Sequence, residues 1–271
     1  ESDGEIWTPA AGTFDGWPKN LSELKTLDPC CGSGHFMVAA FLMLVAMRME
    51  LEKLSAREAA DAVLRENIHG LEIDKRCVEL AAFALALSAW RYPDAGGYRP
   101  LPELNVACSG LSVSVGKEEW QKLANGDRNL RLALGLLHDE FCNASILGSL
   151  LDPKKSDAAK LVDWRRLAGS ITLALEKERT EEEHEAAVVA QGLAKAATML
   201  TGNYHWIITN VPYLARGKQN DTLRNFCEKQ YSAAKNDLAT VFLERCIEFC
   251  IKHGTSSIVL PQNWLFLTGY T

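Results

Sequence analysis

Asp28-Pro29-Cys30-Cys31-Gly32-Ser33-Gly34-His35-Phe36 is the stretch that decides the fold. It follows the short apolar run Leu24–Leu27 and precedes an apolar helical run from His35 to about Lys53, so it reads as a strand-to-helix turn. Glycines in such a turn let the backbone approach a ligand closely, and the amides at the helix N-terminus face that ligand. No Gly-Lys-Ser/Thr follows, so the turn is not a phosphate P-loop. No third glycine comes three residues after Gly34, which excludes the dinucleotide G-x-G-x-x-G fingerprint.

Working outward, short apolar strands alternate with long helices, which predicts an α/β fold with a doubly wound, mostly parallel sheet. Ser55-Ala56-Arg57-Glu58 is a capping box opening a helix to about Glu66. A second strand covers Ile68–Ile73, and Asp74 caps a helix to about Trp90. Pro93, Gly96, Gly97 and Pro100 mark a loop before a short third strand, Asn105–Ala107. From Gly116 to Gly202 the apolar spacing is helical: Leu161, Trp164, Leu167, Ile171 and Leu175 form one stripe, and Val189, Leu193, Ala196 and Leu200 another, behind a cap at Thr180. A fourth strand is expected at Trp206–Thr209, a helix from about Asp237 to Lys252 closed by Gly254, and a fifth strand at Ser257–Leu260.

Two further segments carry chemistry. Gly70-Leu71-Glu72-Ile73-Asp74 brings an acid to the carboxyl edge of the strand beside the glycine turn, where a carboxylate can accept hydrogen bonds from both hydroxyls of a ribose. Ile207-Ile208-Thr209-Asn210-Val211-Pro212-Tyr213 puts Asn, a Pro turn and Tyr directly after a buried strand. The amino nitrogen of adenine is a poor nucleophile because its lone pair is delocalised into the ring. An Asn oxygen and a backbone carbonyl accepting its hydrogens would localise that lone pair. Tyr213 would offer a face for a base extruded from its stack.

Together these motifs resemble the adenine-specific DNA methyltransferases of the gamma arrangement, in which the cofactor motif precedes the catalytic one. Asp28-Pro29-Cys30-Cys31-Gly32-Ser33-Gly34 matches D-P-A/C-C-G-S-G, and Asn210-Val211-Pro212-Tyr213 matches N-P-P-Y with Val211 in place of the first proline. Asp237-Leu238-Ala239-Thr240-Val241-Phe242-Leu243-Glu244-Arg245, followed by Leu260-Pro261-Gln262-Asn263-Trp264, is similar to the PglX-like subgroup of restriction–modification and BREX-type phage-defence systems. The resemblance implies a class I fold using S-adenosylmethionine. Its binding residues would be Asp28, Cys30, Gly32, Ser33, Gly34, Phe36, Glu72 as the ribose acid, Ile73 against the cofactor's adenine, and Thr8 in an aromatic-Thr-Pro motif. Asn210, Val211, Pro212 and Tyr213 would form the catalytic loop, with no metal. Where the family carries an Asp or Asn after the third strand, only Ser109 is available.

Bulk properties frame these expectations. The 271 residues, with a 47% hydrophobic fraction, suffice for one large domain. No apolar run approaches the roughly 20 residues that span a bilayer. The eight cysteines include no Cys-x-x-Cys and read as small buried hydrophobes of a reducing compartment; the resemblance implies a bacterial or archaeal cytoplasm. A net charge of -6 argues against this segment alone gripping long duplex DNA. The resemblance resolves this by placing a target-recognition domain after the catalytic half; the chain starts at Glu1 rather than Met and stops at Thr271 soon after an apparent strand, as a piece of a longer protein would. The expected organisation is an N-terminal segment 1–25 and a methyltransferase core 26–271 with a helical insertion at about 112–203. Double-stranded DNA is the implied partner, with restriction or defence proteins beside it and no membrane. Arg216, Lys218, Arg224, Lys229 and Lys235 suit either phosphate contacts or a solvated helix face. Two other readings stay open: methylation of a protein glutamine or an RNA base, and a binding module without catalysis.

Overall fold

The computed structural model describes residues 2–3, 6–7, 16, 18–111, 116–122, 124, 126, 128–155 and 181–262. Five parallel strands form the central sheet: β1 Thr26–Asp28, β2 Ile68–Glu72, β3 Asn105–Cys108, β4 Tyr204–Asn210 and β5 Cys250–Val259, in the order β3-β2-β1-β4-β5. The chain runs outward from β1 to β3 and then returns to β4 on the other side of β1. That reversal opens a crevice at the carboxyl ends of β1 and β4, where ligands bind in open α/β sheets. Two short antiparallel strands, Ser2–Asp3 and Ile6–Trp7, precede the sheet.

The helices are α1 His35–Glu52, α2 Ala56–Glu66, α3 Lys75–Arg91, α4 Lys117–Lys122, α5 Arg128–Glu140, α6 Ala144–Leu147, α7 Glu181–Leu200, α8 Asp221–Gln230 and α9 Leu238–Phe249. Side chains alternate across a strand, so Val106 and its neighbour Ala107 enter different cores. Val106 joins Phe41 and Leu44 of α1, Val63 of α2 and Leu85 of α3. Ala107 joins Leu27, Leu71 and Ile207, with Leu193 and Leu200 of α7 and Val241 and Phe249 of α9. α7 packs on β3, β2 and α5, so it covers the second face of the sheet as a crossover helix does.

The expected capping box is present: the Ser55 hydroxyl accepts from the Glu58 amide and the Ser55 amide donates to the Glu58 carboxylate. Leu193, Ala196 and Leu200 are fully buried on α7. The Leu161–Leu175 stripe and the Thr180 cap lie outside the described residues. Gly254 departs from expectation. α9 ends at Phe249, and Gly254 lies inside β5, where a Cβ would come 3.2 Å from the His205 carbonyl oxygen. His253 beside it has φ +66°, and the β4–β5 register shifts between Tyr204 and Trp206. The glycine therefore serves an irregular strand entry. The apolar pattern misleads because Ile251 continues the period of α9 although it already belongs to the strand.

Candidate active site

The loop after β1 is built by its own backbone. The Cys31 amide donates to the Leu71 carbonyl at 3.0 Å and the Gly34 amide to the Cys31 carbonyl at 2.8 Å. Gly32 and Gly34 sit at φ +52° and +89°, in the left-handed region that favours glycine. At Gly34 a Cβ would also meet the Ala81 Cα of α3 at 3.1 Å. α1 starts at His35, so its first-turn amides open toward this edge of the sheet. Ser33 and His35 pair through Oγ and Nδ1 at 3.1 Å, and Phe36 is half-buried in the first turn of the helix.

Asp28 closes β1 and is 2% exposed. Its carboxylate accepts from the Cys30 amide at 3.1 Å, and the Thr209 hydroxyl lies near it without forming a well-aligned hydrogen bond. Burial pushes the Asp28 carboxyl up to about 7; Thr209 and the Cys30 amide oppose that shift and the nearby Glu72 charge adds to it. Burial likewise pushes the Cys30 and Cys31 thiols up, so both stay protonated and act as packing groups.

Glu72 ends β2 with its carboxylate held by three amides: Gly32 at 2.8 Å on one oxygen, Ile73 at 2.8 Å and Asp74 at 3.1 Å on the other. A carboxylate has about four acceptor positions, so capacity remains for hydroxyl donors from the crevice. Ile73 exposes 42% of its surface beside it, an apolar face at the rim of a polar site. Two glycines let backbone approach Ile73. A Cβ on Gly110 would fall 2.1 Å from the Ile73 carbonyl oxygen, and one on Gly148 would fall 3.1 Å from Ile73 Cδ1.

Asn210 ends β4, two strands across the sheet from Glu72, at the same carboxyl edge. Val211 turns into the core, whereas Pro212 and Tyr213 are exposed. The Tyr213 hydroxyl is within donating distance of Asn210 Oδ1 and the Val259 carbonyl.

Asp28, Glu72 and Asn210 thus meet at the carboxyl ends of β1, β2 and β4, with the Cys30–Phe36 turn beside them. Thr8 lies outside the described residues. Ser109 is fully buried and shares its hydroxyl with Ser149 at 3.1 Å, so it does not face the crevice. Sequence reasoning missed Gly110, Gly148 and Ser149. Ser149 donates to the Pro29 carbonyl at 2.6 Å across 120 residues of chain, a contact without any local signal. Arg216 pairs with Glu228, and Arg224 with Asp221, which leaves these two arginines on a solvated, charge-balanced helix face. Among the described residues no His/Cys/Asp/Glu cluster is arranged to hold a metal, and no described helix is long and apolar enough to cross a membrane.

Comparison with known proteins places the chain among DNA methylases. The family model of the Eco57I restriction-modification methylase matches residues 66–271, and that of the MmeI DNA-methyltransferase domain matches residues 11–95. The adenine-specific methyltransferase PglX of Lacticaseibacillus casei (strain Zhang) is 28% identical over 260 residues, covering 93% of this chain and 21% of the relative. The adenine-specific methyltransferase BrxX of Escherichia coli O9:H4 (strain HS) is 28% identical over 269 residues, covering 91% of this chain and 22% of the relative. The chain therefore spans about a fifth of the length of these curated relatives. With a match over most of its length and the α/β sheet that such methylases require, the chain belongs to the Eco57I restriction-modification methylase family.

Proposed function

We propose that this domain transfers a methyl group from S-adenosylmethionine to the exocyclic amine of an adenine in double-stranded DNA. The observation that carries the reading is the convergence of the glycine turn, Glu72 and Asn210 at the carboxyl edge of β1, β2 and β4. The residues fit the donor: Glu72 keeps acceptor capacity for a ribose, Ile73 presents an apolar face for a purine, and the amides at the start of α1 suit a carboxylate. When bound, the sulfonium supplies an electrophilic methyl carbon.

The chain's own residues prepare the acceptor. Asn210 Oδ1 and the Val211 carbonyl accept the two hydrogens of the target amine, which rotates its lone pair out of conjugation and toward the methyl group. The amine nitrogen forms the new N–C bond as the S–C bond breaks, and the surplus proton leaves to water. Tyr213, about half exposed, is placed to stack on the extruded base. Duplex affinity comes from a recognition domain outside this segment, consistent with the charge of -6 and the ion-paired Arg216 and Arg224. The names of the relatives support a role in restriction–modification or phage defence in a bacterial or archaeal cytoplasm, beside the other proteins of such a system.

Calorimetric titration of S-adenosylmethionine tests the reading. Glu72→Ala is expected to weaken binding by about 1–3 kcal/mol, the cost of unpaired polar groups. Asn210→Ala should preserve that affinity and abolish transfer of labelled methyl to DNA. A folded wild-type chain with no measurable cofactor affinity would refute the proposal.

A further inference from the structure

The Asp237–Arg245 run begins with the α9 cap Asp237 and ends with a buried charge that the methyl-transfer scheme does not use. Arg245 is 1% exposed, and its guanidinium makes four hydrogen bonds and a further ion pair. Nε donates to the Ser149 carbonyl at 3.1 Å. Nη2 donates to the Leu151 carbonyl at 2.7 Å and the Leu200 carbonyl at 3.2 Å. Nη1 faces Asp152 at 3.1 Å and Glu248 at 3.2 Å. Three of these acceptors lie in one short segment, the 3₁₀ turn Gly148–Leu150 and the residues just after it. A cation held this way is costly to desolvate and a poor source of stability by itself, so its geometry points to fixing a conformation.

The segment it fixes forms a wall of the cofactor crevice. Ser149 donates its hydroxyl to the carbonyl of Pro29, the residue between Asp28 and the glycine turn. Gly148 lies against the side chain of Ile73, where a Cβ would crowd Cδ1 at 3.1 Å. The same turn therefore touches both halves of the crevice, the loop after β1 and the residue after β2. The Arg245 guanidinium reaches it from α9, 94 to 96 residues along the chain from the Leu151 and Ser149 carbonyls.

We infer that Arg245 is a positioning residue for methyl-donor binding, acting through the Ser149 turn on Pro29 and Ile73. The inference rests on the S-adenosylmethionine reading above. Its role is to hold the Pro29 carbonyl and the exposed face of Ile73 at a fixed separation, so that one rigid slot meets the donor's nucleoside end. A lysine could reach only some of the acceptors, because its three donors radiate from one nitrogen rather than from a planar fork.

The test titrates S-adenosylmethionine into the wild type, Glu72→Ala, Ser149→Ala, Arg245→Lys, Arg245→Gln and the Ser149→Ala/Arg245→Gln double variant, with the thermal midpoint of each read alongside. Ser149→Ala should weaken the donor about three- to tenfold with a modest fall in midpoint, since the buried bonds to Pro29 and Ser109 are both lost. Arg245→Gln should weaken it at least as much, Arg245→Lys should recover part of the loss, and the double variant should lose no more than Arg245→Gln, because both substitutions act through one turn. If Arg245→Gln does not fold, Ser149→Ala and Arg245→Lys decide. Wild-type binding that Glu72→Ala weakens but Ser149→Ala and Arg245→Lys leave untouched overturns the inference and keeps the cofactor reading. No binding by the folded wild type overturns both.

Discussion

The Tyr213 hydroxyl lies 2.9 Å from Asn210 Oδ1, so the ring proposed to stack on the target base also engages the oxygen proposed to accept from it. The hydroxyl has one proton, and the Val259 carbonyl at 3.1 Å competes for it. Asn210 Oδ1 has two lone pairs, so an incoming amine shares that acceptor with Tyr213 or displaces it toward Val259. The two roles of Tyr213 can then be separated by substitution. Tyr213→Phe keeps the stacking face and releases Asn210, so kcat/KM for DNA should stay within a few-fold of the wild type. Tyr213→Ala removes the face and should lower it about ten- to a hundredfold, the worth of one stacked base. Methyl transfer from labelled donor to DNA measures both, and equal losses in the two variants would contradict the assignment.

Asp28 gives a pH signature. Its carboxyl, buried at the end of β1, is raised from 3.8 to about 7. Between those values the folded chain keeps a proton that the unfolded chain releases, so stability falls as pH rises through this window and levels off above it. Asp28→Asn mimics the protonated acid. It should therefore be more stable than the wild type by roughly 2–4 kcal/mol near pH 8, with the advantage fading toward pH 4. Urea midpoints across that range check it; a pH-independent difference would show that Asp28 does not hold its proton.

The glycine turn separates conformational strain from crowding. Gly32 and Gly34 both have positive φ, yet a Cβ at Gly32 meets nothing within 4 Å, whereas at Gly34 it meets the backbone of Ala81. Gly32→Ala should cost about 1–2 kcal/mol of stability, the left-handed penalty alone. Gly34→Ala should cost more, and it should also weaken S-adenosylmethionine, because the Gly34 amide closes the loop on the Cys31 carbonyl. Denaturation and titration of the pair test the order; a costlier Gly32→Ala would reverse the argument.

What could be read from the sequence follows from the range of the forces involved. The turn Asp28–Phe36, the Ser55 capping box and the Asp74 cap are local: their donors and acceptors lie within a few residues, and residue type reports them directly. Glu72 was identifiable by its place at a strand end, but not the Gly32 amide that holds it, which comes from 40 residues away. Ser149 and Arg245 were beyond reach for the same reason. The contacts that set the turn, Ser149 to Pro29 and Arg245 to Ser149 and Leu151, end on backbone carbonyls, which every residue carries, so no residue type marks them. Gly254 misled because a strand entry with a register shift and a helix C-terminus both favour a glycine after an apolar run.

Val211 is the one departure within the catalytic tetrapeptide, and its position argues that it is a tolerated one. Asn210 is the last residue of β4, already extended, which is the conformation a following proline requires. Val211 is 3% exposed and packs in the core shared with Ile207 and Phe249, so its side chain serves the sheet. The proposed contact to the target amine uses its carbonyl, which either residue supplies. Val211→Pro should therefore keep methyl transfer to DNA within about threefold, while the smaller apolar contact costs about 1 kcal/mol of stability. A loss of transfer beyond about tenfold at unchanged cofactor affinity would mean that the valine does more than present a carbonyl, and that this loop acts on its base differently from the proline-containing tetrapeptide it resembles.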